Sequence, residues 1–125
     1  MSNFIKNYAV YIILVILVLV GGYFLVRKNN TTTSPTASIT LYYGDTCPHC
    51  TVVDKYIQDN NVAQKIMFDK KEVFNNPASS MEMAEKYKLC GLPTDQLFVP
   101  FLYDTQTKQC FSGQEDIINY FAAKL

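Results

Sequence analysis

A run of 19 residues from Tyr8 to Val26 carries no charge and is dominated by Ile, Leu and Val, and it constrains this chain more than any other feature. Lys6 bounds it on one side and Arg27-Lys28 on the other. As a helix rising 1.5 Å per residue it would span roughly 28 Å, the depth of a bilayer's hydrocarbon core. A helix in a globular core is seldom apolar on every face. A cleavable signal peptide would have a shorter apolar region and a small-residue cleavage site, whereas Gly21-Gly22 is followed by Tyr23-Phe24-Leu25-Val26-Arg27. The sequence predicts one transmembrane helix over residues 8–26, inside an N-terminal anchor of residues 1–28 embedded in membrane lipid.

Residues 29–38 read Asn-Asn-Thr-Thr-Thr-Ser-Pro-Thr-Ala-Ser, a polar linker without apolar periodicity. Residues 39–125 then form the soluble domain. That domain holds eight Lys against eleven acids. A net charge of about −3 leaves no electrostatic footprint for nucleic acid. The positive residues flanking the anchor are nearly balanced and do not set its orientation. All four cysteines follow the anchor, which points to an oxidising, extracytoplasmic side for the domain of a single-pass membrane protein.

Within the domain the pattern alternates in type. Ile39, Leu41 and Tyr43 alternate with Thr40 and Tyr42 as a strand does. A helix is expected from about Cys47, capped by Asp45 or Thr46, burying Val52, Val53, Tyr56 and Ile57 and stopped by Asn60-Asn61. A second strand is expected over residues 66–73. Asn76-Pro77 reads as an N-cap followed by proline at the first helical position. The helix it opens runs to about Leu89, with Met81, Ala84 and Tyr87 inward and Gly91 as terminator. Residues 99–103 and 109–112 form a hairpin, and a last helix buries Ile117, Ile118, Phe121 and Leu125. The order β-α-β-α-β-β-α, with its right-handed crossover, predicts an α/β fold with a four-stranded mixed sheet flanked by helices.

Cys47-Pro48-His49-Cys50 lies where the first strand hands over to the first helix. Disulfide exchange needs one ionised, accessible thiol and a second near enough to resolve the mixed disulfide. At a helix N-terminus the free N–H groups favour a Cys47 thiolate, while Cys50, one turn in, is shielded. Pro48 suits the first turn because its missing N–H costs no bond there. His49 can aim a hydrogen bond or a positive charge at the Cys47 sulfur. Other uses of the motif fit less well. Zinc needs four ligands, but Cys90 and Cys110 make no second close pair and His49 is the only histidine, so no metal is expected. A c-type haem site needs His after the second cysteine, where Thr51 stands. A structural Cys47–Cys50 bridge would close too small a loop to add much stability.

The segment Leu41-Tyr42-Tyr43-Gly44-Asp45-Thr46-Cys47-Pro48-His49-Cys50 resembles the strand-to-active-site segment of the thioredoxin superfamily, and the resemblance extends over nearly all of residues 39–125. Its Pro-His pair is similar to that of bacterial disulfide oxidases of the DsbA type, and its size and Thr-Cys-Pro-x-Cys pattern are similar to glutaredoxins. The resemblance implies a thioredoxin-like fold and a cis-proline facing the dithiol. Pro93 and Pro100 compete for that role. The order of elements after Pro100 favours the Val99–Pro100 bond, with Val99 and Pro100 as substrate-binding residues. Leu41 stands where thioredoxins carry a buried acid. Val99-Pro100 and Gly113-Gln114-Glu115-Asp116 match the glutathione-binding pattern of glutaredoxins, with Phe98 in place of a threonine.

Three functions follow as expectations. The first is a thiol–disulfide oxidoreductase acting on protein thiols and disulfides and served by a redox partner protein. The second is a glutathione-dependent glutaredoxin, with glutathione the one small molecule implied. The third is a redox-silent binding module using the same groove, against which the retention of both cysteines speaks. Cys90 and Cys110, at the end of the second helix and on the fourth strand opposite Leu102, are expected to form a structural disulfide. Two buried free thiols and a second relay dithiol are the competing readings. Phe98 belongs either to the substrate groove or to ordinary packing, Tyr42, Tyr43, Phe101 and Tyr103 are expected in the sheet, and Lys70-Lys71 is expected on a solvated surface.

Overall fold

The computed structural model describes Tyr8, residues 11–21 and residues 37–125. The chain divides into two compact units, Met1–Pro35 and Thr36–Leu125. In the first, Tyr8 and residues 11–21 are helical. The rest of the expected 8–26 span, and residues 29–36 of the linker, lie outside the described residues. Among the described residues no helix is long and apolar enough to cross a membrane.

The second unit contains β1 (Ile39–Tyr43), α1 (Pro48–Asp59), α2 (Val62–Lys65), β2 (Asp69–Glu72), α3 (Pro77–Leu89), β3 (Phe101–Asp104), β4 (Gln109–Ser112) and α4 (Gln114–Ala122). The strands form one sheet in the order β2-β1-β3-β4. β1 pairs parallel with β2 and antiparallel with β3, and β3 pairs antiparallel with β4. This is an α/β arrangement with a four-stranded mixed sheet and helices on both faces, compatible with a thioredoxin-like fold.

Alternation along β1 and β3 sorts side chains between two cores, because both sheet faces are covered. Ile39, Leu41 and Leu102 join Val53, Ile57 and Val62 with Ile117, Tyr120 and Phe121 of α4. Tyr42, Phe101 and Tyr103 join Val73 with Met83 and Tyr87 of α3 on the other side. The Tyr87 and Phe101 ring centroids lie 4.4 Å apart. The charged edge strand β2 ties down both layers. Lys70 Nζ donates to Asp54 of α1 at 2.6 Å, and Lys71 Nζ donates to both Glu82 oxygens of α3, at 2.8 and 2.6 Å. Tyr42 Oη–H adds a bond to Glu82 at 2.9 Å. Both lysines are therefore ion-paired: Lys70 stays on the exposed surface as expected, whereas Lys71 is partly buried.

Several boundaries differ from expectation for local reasons. Asn61 adopts φ 51°, and fully buried Val62 starts the short α2, so the second strand begins at Asp69 rather than residue 66. In α1, Val53 and Ile57 are buried and Val52 is exposed. In α3 the inward methionine is Met83, four residues before Tyr87, and Met81 faces out. α4 buries Tyr120 beside Ile117 and Phe121, and Leu125 is exposed. Asn76 caps α3 through the Ser79 N–H, with Pro77 behind it. Cys90 and Cys110 form a disulfide with Cα atoms 6.2 Å apart, inside the range such a bridge accepts. Cys110 stands opposite Tyr103 rather than Leu102. Closing about 20 residues in this way stabilises the fold by roughly 3 kcal/mol in the chain-entropy account.

Asp104, 1% exposed at the end of β3, shows how a charge is accommodated in this fold. Its carboxylate accepts from Tyr120 Oη–H at 2.7 Å and from the N–H groups of Gln106 and Thr107 at 2.9 and 3.3 Å. Burial favours the protonated acid, but these donors outweigh it and hold the carboxyl below its ordinary range. Its stabilising contribution is therefore complete above an unfolded value of about 3.9 and is lost as pH falls through the lower folded value. Asp104→Ala is expected to cost about 2 kcal/mol at pH 7 by leaving Tyr120 unpartnered. In denaturant titrations its deficit relative to the wild type should shrink below about pH 4. A deficit unchanged from pH 7 to pH 2 would contradict this assignment.

Candidate active site

β1 ends at Tyr43, and Gly44-Asp45-Thr46 turns the chain into α1. Glu72, at the end of β2, holds that turn against the loop after its own strand. Its carboxylate accepts from the N–H groups of Asp45, Phe74 and Asn75 at 3.4, 2.7 and 2.8 Å. Desolvation works against the charge, but the backbone donors prevail and hold the Glu72 carboxyl below its ordinary range. The Phe74 ring packs so close to Gly44 that a Cβ there would run into it. Thr46 sits at φ 66°, a left-handed conformation that a β-branched residue adopts at a cost of order 1–3 kcal/mol.

The cap of α1 is Cys47 itself, and neither Asp45 nor Thr46 serves. Cys47 Sγ accepts the Cys50 N–H at 3.2 Å, and Pro48 occupies the first helical position. The sulfur also donates to the Val99 carbonyl at 3.7 Å. Cys47 and Cys50 are both free thiols, 8% and 4% exposed, so Cys47 is less open than expected. Burial, followed by the hydrogen bond with Cys47, pushes the Cys50 thiol up to about 12.

Val99–Pro100 is a cis bond, and Pro93 lies in the loop between α3 and β3. That loop is held by Tyr87, whose hydroxyl donates to the Phe98 carbonyl at 2.7 Å and accepts the Phe98 N–H at 3.0 Å. The Phe98 side chain is left 61% exposed. Across from it the Gly113 N–H donates to the Pro100 carbonyl at 2.9 Å, fixing the start of α4. His49, expected to face the Cys47 sulfur, instead hydrogen-bonds through Nδ1 to Gln114 Oε1 at 3.0 Å. His49, Phe98, Val99, Pro100, Gly113 and Asp116 line one open cleft of about 490 Å³.

The dithiol, Val99, Pro100 and His49 are thus gathered at one end of the sheet, while the Cys90–Cys110 bridge contributes to the core around α3. The holding roles of Glu72, Tyr87 and Gln114 are not visible in the sequence. Each acts through a contact between residues far apart in the chain or between a side chain and loop backbone. The Gly113–Asp116 turn was the one local signal near Gln114. Compared with protein-family models and with curated proteins, the chain matches none.

Burial holds Cys50 protonated beneath the motif, although both thiols are largely covered. Iodoacetamide at pH 7 is expected to label Cys47 at least about tenfold faster than Cys50. Peptide mapping over a time course reads both rates, and equal rates would refute the distinction.

Proposed function

We propose that this protein is a membrane-anchored thiol–disulfide oxidoreductase of the thioredoxin superfamily that exchanges disulfides with protein cysteines. The observation that carries this reading is the Cys47 sulfur, set as the cap of α1 with the Cys50 N–H aimed at it. An N–H in that position favours the sulfur as a thiolate, both as attacking group and as leaving group. The thiolate attacks a substrate disulfide, forms a mixed disulfide through Cys47 and expels one substrate thiolate. Cys50 then attacks the Cys47 sulfur, closes the Cys47–Cys50 disulfide and releases the second substrate thiol. Run in reverse, the same steps oxidise a substrate dithiol.

The cleft beside His49 supports an extended polypeptide as substrate, since Phe98 lines it and is well exposed. A second reading, glutathione as co-substrate, is favoured by the same cleft gathering Val99, Pro100, Gly113 and Asp116. Anchoring is supported by the helical residues 11–20, whose apolar side chains are 48–72% exposed. The Cys90–Cys110 disulfide supports a domain facing an oxidising compartment.

Substitution Cys50→Ser blocks resolution and is expected to leave partner proteins disulfide-linked to Cys47 in the full-length chain. Non-reducing electrophoresis followed by mass spectrometry identifies them, and extracytoplasmic partners support the proposed orientation. A glutathione adduct alone would favour the second reading. The absence of any adduct beyond those of a Cys47→Ser/Cys50→Ser control would refute the function.

A further inference from the structure

Resolution requires Cys50 to lose a proton while it is buried, 4% exposed. A base must take that proton, and Leu41 offers none. The sheet register places Lys70 beside Leu41 on the neighbouring strand. Lys70 Nζ reaches from there to Asp54 Oδ1 at 2.6 Å, with the ammonium 4.6 Å from the Tyr43 ring centroid. Asp54 lies one helical turn after Cys50, at the rim of the buried stripe formed by Cys50, Val53 and Ile57. An i, i+4 spacing sets such side chains together, with Cβ atoms roughly 6 Å apart. Both members of the ion pair keep about a third of their side-chain surface, 35% for Lys70 and 32% for Asp54. Solvent therefore reaches the carboxylate.

We propose that Asp54, oriented by Lys70, is the proton acceptor for Cys50 in the resolving step. This rests on the oxidoreductase reading above. The Cys50 proton passes to the Asp54 carboxylate through one intervening water molecule. The Cys50 sulfur attacks Cys47 of the mixed disulfide, the Cys47–Cys50 bond forms, and the bond from Cys47 to the substrate sulfur breaks. The substrate leaves as a thiolate and takes a proton from solvent. Cys47 and Cys50 together lose two electrons, which the substrate disulfide gains. The charged or titratable groups around Cys50 are Cys47 at the cap and Asp54 on α1, with Lys70 facing Asp54 from β2, while His49 is turned to Gln114 and Asp45 accepts from Asn75. Glu115 and Asp116, the carboxylates that line the cleft, stand on α4 with His49 and Pro100 across from them.

Ellman's reagent separates the two thiols in one trace. Cys47 attack releases a first thionitrobenzoate, and Cys50 attack on the resulting adduct releases a second. In the reduced full-length chain, Asp54→Asn is expected to leave the first phase unchanged and slow the second at least about tenfold. Added acetate or imidazole should restore the second phase of Asp54→Asn without altering the wild type. Asp54→Glu, which keeps the carboxylate, should retain most of the rate, and Lys70→Met should slow the second phase less than Asp54→Asn does. A second phase of wild-type rate in Asp54→Asn overturns the assignment, as does equal slowing of both phases without rescue by added base. If the wild type itself shows no second phase, the oxidoreductase reading fails as well.

Discussion

The hydrogen bond from the Cys50 N–H to the Cys47 sulfur fixes where α1 begins, and the geometry of the site depends on that start. A helix leaves its first N–H groups without intrahelical partners, and a polar cap ordinarily satisfies one of them. Here a thiol does so. The arrangement couples helix stability to the charge on one sulfur, since a thiolate is a better acceptor than a thiol. It also fixes the second thiol: Cys50 follows within the same turn, directed inward with Val53 and Ile57, where burial keeps it protonated.

Around that cap the fold holds its loops by clamps rather than by regular structure. Glu72 fixes the turn before Cys47, Tyr87 brackets Phe98 so that the next carbonyl meets the sulfur, and Gln114 engages His49. The strands supply the fixed frame. β1, covered on both faces, sets the height of Cys47, and Pro100 together with Ser112 and the first turn of α4 sets the far wall of the cleft. The edge strand β2 holds α1 through Lys70 and α3 through Lys71, linking both helical layers to one end of the sheet.

Much of this frame was legible in the sequence because it follows from local chemistry. Asn76-Pro77 opens α3, Gly91 at φ 68° follows its end, and the Asp104–Lys108 turn joins β3 to β4. Cys47 to Cys50 could be placed because strand, motif and helix adjoin in the chain. Contacts set by tertiary packing were not legible. Met81 and Met83 fit the helical pattern almost equally, and the Tyr42 and Phe101 surface opposite selects Met83. The ion pairs of Lys70 and Lys71 were hidden because their acids lie 16 and 11 residues away. Oxygen caps are common, which favours Asp45 or Thr46 from sequence, whereas here the Cys47 sulfur itself fills the position.

The proposed function requires Cys47 and Cys50 to act as a reversible dithiol while the Cys90–Cys110 bridge stays closed. Equilibrating the protein across a series of thiol–disulfide buffers, then quenching, alkylating and mapping peptides, tests it directly. Cys47 and Cys50 are expected to pass together between a linked and a doubly alkylated peptide, while the Cys90–Cys110 linked peptide persists across the same series. Failure of Cys47 and Cys50 ever to link, or opening of Cys90–Cys110 before them, would contradict it.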